Sequence, residues 1–543
     1  MTVRPFSPKR LVAAALIAAA SVLLLPNGGW SLSSANVPLD SPIYQYLGKL
    51  SGFGLINTDV AGLRPYSRAE AARLVMEAEE NLGALGGEGG GLALELLDRL
   101  KDLLSRELNL RKGGRAPRFA FDEKPAARMR YVFVDGVPRS YDREVYDPGN
   151  QSAFGFIGGN LRPQPPAVIS RTGSEGTPLS ENNEGVNYRR GSNLELSVAL
   201  AGYLSDTSLL VAEPDLLAGP GGTSVKLRKA YLKVGGGGAE LEAGRDANWF
   251  GPGFRGALTL TNNARNFDLV KLSSPEPLDS PWIKKHLGQL KYALILSRFD
   301  ESGTGADRRE PYFIGAKLAL RATPWFEIGG NFVRQEGGPG VERDGGNLQD
   351  VIFGGSEKNR NNSIAGIDLR FRVPHLRNTE FYGEYVGEDS ASFWPFVESY
   401  LAGIYLPRLT ASGRDDLRVE YLWGHQILYT DYKFPSGYTF NGMTPGHSQG
   451  GGTQEIFVRY SHWFAARTTL ALEYFHTDRG KVGRVEGQVV EEKDAARGFC
   501  NTPLRSDLDL GLMYGVERIR NLNLMPSSKR TNQVLRLDLS YRY

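Results

Sequence analysis

Cysteine is almost absent from this chain: Cys500 stands alone in 543 residues. One thiol forms no intrachain disulfide, so a disulfide scaffold is excluded. No cysteine lies near the start, which argues against a lipid-modified N-terminus. Histidine is scarce too. His286, His375, His425, His447, His462 and His476 are scattered, with no two at ligand spacing. No metal and no cofactor are therefore expected. Ser448 follows His447, but no nucleophile elbow surrounds it. The glycine runs 235–238 and 450–452 lack the Gly-Lys-Ser/Thr ending and following helix of a phosphate loop, and read as turns. No carboxylate pair is singled out for acid–base work. The chain is not read as an enzyme.

An excess of charge of one sign is also missing. The formal net charge is +3, and the first residues account for it. Arg4, Lys9 and Arg10 precede an apolar run over 11–25. Ser33 and Ala35 then suit cleavage before Asn36. This pattern reads as a signal peptide over 1–35, its apolar run too short for a spanning helix. Without those three cations and with no anions lost, the formal charge falls to 0. A neutral chain has no broad attraction for nucleic acid.

What is present is glycine, 66 residues, and aromatics at 10%. Many turns and girdled strands produce this, and so does a soluble sandwich. Periodicity decides more. Three helical patterns come first. One covers 42–56, with Tyr44, Leu47 and Leu50 on one face, Asp40 or Ser41 as N-cap, and Pro42 at the first helical position. The second opens on Ser67 and Glu70 at capping-box spacing and runs through Ala71, Leu74, Val75 and Ala78. The third spaces Leu92, Leu96, Leu100, Leu103, Leu104 and Leu108 by three and four. A small helical bundle is expected over 36–115.

From about Met129 the period becomes 2. Leu194, Leu196, Val198 and Leu200 oppose Asn193, Glu195 and Ser197. Ile367, Leu369, Phe371 and Val373 oppose Asp368, Arg370 and Arg372. Leu417, Val419, Tyr421 and Trp423 oppose Arg418 and Glu420. Leu508, Leu510, Leu512, Tyr514 and Val516 oppose Asp509, Gly511, Gly515 and Glu517. Many such runs are about nine to eleven residues long, as membrane-spanning strands require. Their polar faces carry full charges, as a wet lumen permits. The chain ends on Leu535, Leu537, Leu539, Tyr541 and Tyr543 alternating with Arg536, Asp538, Ser540 and Arg542. This terminal strand resembles the one read by barrel-assembly machinery. The expectation is an all-β transmembrane barrel over 116–543, of about 18 antiparallel strands, with outer-membrane lipid around it.

Short connections fall near Ser205, Gly236, Thr323, Arg377 and Ala465. Long ones fall at 160–191, 247–266, 334–362 and 424–453. They alternate as periplasmic turns and extracellular loops do. A C-terminal strand ending in the periplasm then demands one further strand between His476 and Asp507. Residues 484–490, with Val485 and Val489, are the candidate, and a second is expected near Phe119.

Two loops carry the candidate binding residues. Trp249, Phe250 and Arg255 are followed by Asn262, Asn263 and Arg265. Tyr438, Phe440 and Asn441 lie in the second. Aromatic faces beside amides and guanidinium suit sugar rings through stacking and paired hydrogen bonds. The same residues also suit packing against a barrel rim, and both readings stand at this point.

These loops resemble the Wzi capsule-assembly family. The resemblance rests on Trp249-Phe250-Gly251-Pro252-Gly253 with Asn262-Asn263. It rests equally on 450–463, which reads Gly-Gly-Gly-Thr-Gln-Glu-Ile-Phe-Val-Arg-Tyr-Ser-His-Trp. The stretches Val37-Pro38-Leu39-Asp40-Ser41-Pro42 and Arg64-Pro65-Tyr66-Ser67-Arg68 join it. It implies an 18-stranded barrel, a periplasmic helical bundle and lectin-like attachment of capsular polysaccharide or exopolysaccharide at the cell surface. It implies no catalytic set. Residues 170–190 and 477–505 match nothing in it. The alternative function is a porin-like channel for small solutes. An outer-membrane hydrolase is disfavoured because no nucleophile constellation exists.

Overall fold

The structure is a computed structural model describing residues 33–85, 89–115, 117, 119–122, 125–149, 166–236, 238–301, 308–338, 361–388, 397–432 and 434–542. Most of the expected signal peptide and the terminal Tyr543 lie outside these residues.

Four helices come first: α1 Pro42–Gly52, α2 Arg68–Glu80, α3 Gly90–Leu103 and α4 Ser105–Arg111. Ser41 caps α1, its side chain accepting from the Ile43 N–H at 3.4 Å. Ser67 caps α2, accepting from the Glu70 N–H at 3.0 Å. Each side chain satisfies a donor that the helix leaves orphaned. The first helix ends at Gly52, short of Ile56, where the Leu55 N–H turns back to the Leu50 carbonyl. The expected third helix is two helices, broken at Leu104 (φ −113°, ψ 22°). Leu47, Leu50, Leu74, Val75, Leu96, Leu97 and Leu100 form one buried core. Each contributes roughly 2 kcal/mol by leaving water.

Eighteen antiparallel strands close into one barrel. They are β1 Ala126–Asp135, β2 Gly191–Ser205, β3 Ser208–Gly219, β4 Gly222–Gly236, β5 Ala239–Asp246 and β6 Phe267–Ser273. Then come β7 Gln289–Arg298, β8 Tyr312–Thr323, β9 Phe326–Glu336, β10 Asn361–Val373, β11 Thr379–Glu388 and β12 Val397–Leu406. The last are β13 Asp415–Gly424, β14 Thr453–Ala465, β15 Thr468–Arg479, β16 Glu491–Pro503, β17 Leu508–Arg520 and β18 Lys529–Tyr541. Closure pairs β18 with β1, Tyr541 opposite Ala127 and Gln533 opposite Asp135. The two-residue strand Ala120–Phe121 pairs with Tyr203 and Gly202 of β2, near the expected position at Phe119.

The apolar faces point outward. Leu194, Leu196, Val198 and Leu200 are exposed, while Asn193, Glu195 and Ser197 are buried inside. Ile367, Leu369 and Phe371 are exposed, while Asp368, Arg370 and Arg372 are buried. A soluble protein inverts this arrangement; a barrel in lipid requires it. Trp325, Phe371, Phe381, Phe464 and Tyr541 are exposed at the short-turn end, as an interfacial girdle would be.

Parity corrects one expectation. Residues 484–490 are a loop; the missing strand is β16, Glu491–Pro503. It pairs along its length with β15 and β17. Its outward positions include Glu492, Asp494, Ala496 and Gly498, so no apolar stripe advertised it. With β16 in place, the long connections at 136–190, 247–266, 337–360 and 425–452 share one end. Turns at 206–207, 324–325, 466–467 and 504–507 share the other.

The helices sit at the short-turn end. Lys49 donates to the Pro407 carbonyl at 2.6 Å and pairs with Asp416 at 3.0 Å. Glu95 accepts from the Ala466 N–H at 3.0 Å. Trp463 of β14 joins the helical core. Ser33, Ser34 and Ala35 are buried here, with the Ser33 N–H donating to the Asp206 carbonyl at 3.0 Å.

Candidate functional site

The lumen is packed, and four segments fill it. From the bundle end, residues 54–66 enter between the helices and the strands. Asp59 pairs with Arg321 and Arg370, each at 2.8 Å, and with Arg372 at 3.4 Å. Burial pushes the Asp59 carboxyl up, but these three guanidiniums outweigh it and hold it well below the usual carboxylate range. The N–H groups of Ala61 and Gly62 donate to Glu327. Leu63 and Arg64 pair as a short strand with Phe250 and Trp249. The bundle and the first candidate loop therefore meet inside the barrel.

From the other end come 172–190, 247–266 and 425–452. They are stitched together. The Thr261 N–H donates to the Pro445 carbonyl at 2.6 Å. Asn263 donates to the Thr444 carbonyl at 3.0 Å, and Tyr438 to the Thr259 carbonyl at 2.9 Å. Tyr429 donates through its hydroxyl to the Leu258 carbonyl at 2.5 Å. The Glu184 N–H donates to the Asn262 carbonyl at 2.8 Å. Arg255 joins Glu181 at 2.9 Å and Glu455 at 3.2 Å, and Arg497 reaches the same Glu181 at 2.6 Å. Residues 170–190, unplaced by sequence, thus supply one of the two counter-ions that let Arg255 be buried, and β14 supplies the other.

Seven of the nine candidate residues are buried: Trp249, Phe250, Arg255, Asn262, Asn263, Tyr438 and Phe440. Phe440 stacks on Phe267 at 4.2 Å between centroids, and Tyr438 stacks on Tyr429 at 5.6 Å. The packing role expected of these loops is present. Arg265 keeps 38% of its side chain exposed, 3.9 Å from Asp268. Asn441 is exposed, its N–H donating to Asp300. Trp249 and Asn262 line an interior cavity of about 310 Å³ together with Arg64, Tyr382, Tyr405 and Arg418. Sequence reasoning missed Asp59, Glu181 and Tyr429; each is one polar residue in a loop whose partner is distant in sequence. His447 was noticed only for its neighbour. It is buried, and its Nδ1 accepts from the Gln449 N–H at 3.3 Å.

A family model described as "Capsule assembly protein Wzi" matches residues 160–534. Among curated proteins, an uncharacterized 55.8 kDa protein in the cps region of Klebsiella pneumoniae is 24% identical over 173 residues. The match covers 30% of this chain and 33% of that protein, so the chain spans about a third of the length of this relative. Among solved structures, Wzi of Escherichia coli is similar with a TM-score of 0.65 and 16% identity, over 93% of this chain and 99% of that one. That protein is described as an outer-membrane protein involved in group 1 capsule assembly and a carbohydrate-binding β-barrel. At this identity the likeness speaks for the fold. The family model carries the assignment: the chain is an outer-membrane barrel of Gram-negative cells and belongs to the Wzi capsule-assembly family.

Proposed function

We propose that this protein attaches exported capsular polysaccharide or exopolysaccharide at the cell surface, as a lectin-like barrel without catalytic activity. One observation carries the reading: 172–190, 247–266 and 425–452 are hydrogen-bonded into a single body that fills the lumen. A packed interior suits a fixed binding face, whereas a solute channel needs open space. In this reading the long loops are extracellular and the helices over 36–115 periplasmic. The leader expected over 1–35 is removed on export, with the cut before Ser33 because Ser33, Ser34 and Ala35 are built into the fold. Barrel-assembly machinery inserts the chain through its last strand, and outer-membrane lipid surrounds it. Nucleic acid has no part. The carbohydrate described for Escherichia coli Wzi supports polysaccharide as the ligand class.

The nine loop residues then divide by role. Arg265 and Asn441 contact polymer directly. Trp249, Phe250, Arg255, Asn262, Asn263, Tyr438 and Phe440 hold the loops in shape. Removing one surface contact costs on the order of 1 kcal/mol, so the variant must combine both. In cells carrying Arg265→Ala with Asn441→Ala, cell-bound polymer should fall and shed polymer rise, with total synthesis unchanged. Trp249→Ala with Tyr438→Ala should do the same by loosening the loops. A folded surface variant whose cells retain polymer like the parent would remove these two residues from the site.

A further inference from the structure

The loop between β1 and β2 contains a two-stranded hairpin, Arg143–Asp147 with Ala167–Arg171. Arg143 and Arg171 are direct cross-strand partners. Directly opposed side chains share a face, and like charges there repel. Arg171 is 2% exposed. Arg143 is half-buried, and its Nε is buried without a hydrogen-bond partner. Two more guanidiniums stand close: Arg171 and Arg479 lie 5.0 and 5.2 Å from the Tyr141 ring centroid, and Arg139 lies 5.8 Å from it.

The anions nearby have other partners. Glu388, which acts on Arg171 from beyond ion-pair distance, accepts from the Tyr429 N–H at 2.8 Å. Glu175 pairs with Arg139. Glu491 pairs with Arg139 at 3.3 Å and Arg479 at 2.6 Å. Among the described residues, no carboxylate lies within 4.0 Å of Arg143 or Arg171. Within the same set, Arg143 donates to the Gly451 carbonyl at 2.6 Å. Burial, then Arg171 and Arg479, push the Arg143 guanidinium well below its ordinary value. Burial, with Arg479 adding to it, brings Arg171 down to about 10. A guanidinium nevertheless stays charged at neutral pH, so among the described residues this pair has no carboxylate in ion-pair contact.

The glycine run 450–452 makes room for the pair. A Cβ on Gly450 (φ +71°) would stand 2.0 Å from Arg171 Nη2, and one on Gly452 (φ +69°) 2.6 Å from Arg143 Nη2. The positive φ at both positions favours glycine, and the two guanidiniums occupy the space that the missing side chains leave.

We propose that Arg143 and Arg171 form an anion subsite for a carboxylate-bearing sugar, of the uronate class, in the bound polymer. The inference rests on the polysaccharide-attachment reading and narrows its ligand to an acidic polymer. Two planar forks side by side match a carboxylate through paired N–H···O bonds. Salt should weaken the contact where it is open to water.

The test uses the purified full chain in detergent, with hexagalacturonate and maltohexaose as probes. The acidic hexasaccharide should bind at least 10-fold tighter. Arg143→Gln with Arg171→Gln should abolish that preference and leave maltohexaose binding unchanged. Equal binding of the two probes to the parent, or a preference surviving in a folded double variant, would overturn the subsite. Should the double variant fail to fold, hydrogen exchange of the parent decides. Galacturonate should protect 141–147 and 167–171 while galactose does not, and equal effects of the two sugars would refute the proposal. The attachment reading fails separately: cells lacking the protein would then retain polymer like the parent, whatever the purified chain prefers.

Discussion

At the scale of single residues, His447 shows how a loop inside a barrel acquires a pH limit. Burial lowers its imidazole from the ordinary 6.5 to about 4, against the pull of Glu455. Its Nδ1 already accepts a hydrogen bond, so protonation would also break the Gln449 contact. The folded loop therefore favours the neutral ring, while the unfolded loop takes up a proton near pH 6.5. Stability from this group is full above pH 6.5 and declines as pH falls towards 4, by roughly 3 kcal/mol. Amide exchange over 441–449, corrected for intrinsic rates, should rise across that window. His447→Asn, which keeps an acceptor for Gln449, should flatten the profile. A parent profile already flat between pH 7 and 4 would show that the ring does not govern the loop.

Among elements, the segment 54–66 ties the helices to the barrel from inside, beside the Lys49–Asp416 and Glu95–Ala466 contacts at the rim. Its Asp59 answers three guanidiniums from β8 and β10. Removing that charge leaves the arginines to Glu327 and Glu380. Breaking such a buried pair costs about 3 kcal/mol. Asp59→Asn should therefore expose 53–66 to protease in the folded protein. The barrel's heat-modifiable migration should hardly move, because the strand ladders are untouched. Equal protease resistance in parent and variant would place the tie elsewhere, at Lys49 and Asp416. Because Asp59 is held below the usual carboxylate range, its contribution persists at neutral pH and is lost only under acid conditions, below about pH 4.

For the molecule as a whole, closure and filling are separate facts with separate readouts. Closure of 18 strands with apolar faces outward should give migration that differs between boiled and unboiled samples, and β-rich circular dichroism in detergent. Filling should give little or no conductance in planar bilayers. Excising 251–265 should open a measurable pore, because those residues occupy the lumen beside Glu384, Glu420 and Glu455. Stable porin-like currents from the intact parent would contradict a packed interior and return the channel reading to consideration.

Alternation of period 2 was enough to identify the barrel, its outward faces and its long and short connections, because lipid demands an apolar residue at every second position wherever the strand is greasy. Spacing of three and four, with Ser41 and Ser67 as caps, was enough for the helices. The strand β16 escaped because its pairing with two neighbours needs no apolar stripe of its own. The same alternation put the two candidate loops on one side of the barrel, but not whether their side chains face polymer or core. Trp249, Tyr438 and Arg255 read equally well as sugar contacts or as packing, since stacking and desolvation favour both. Only the tertiary structure brings Glu181 to Arg255, Thr259 to Tyr438 and Asp59 to Arg370, and sets Arg143 opposite Arg171 with no carboxylate among the described residues in ion-pair contact with either. Buried charge is decided by its partners, and these partners lie tens to hundreds of residues apart, where no local pattern records them.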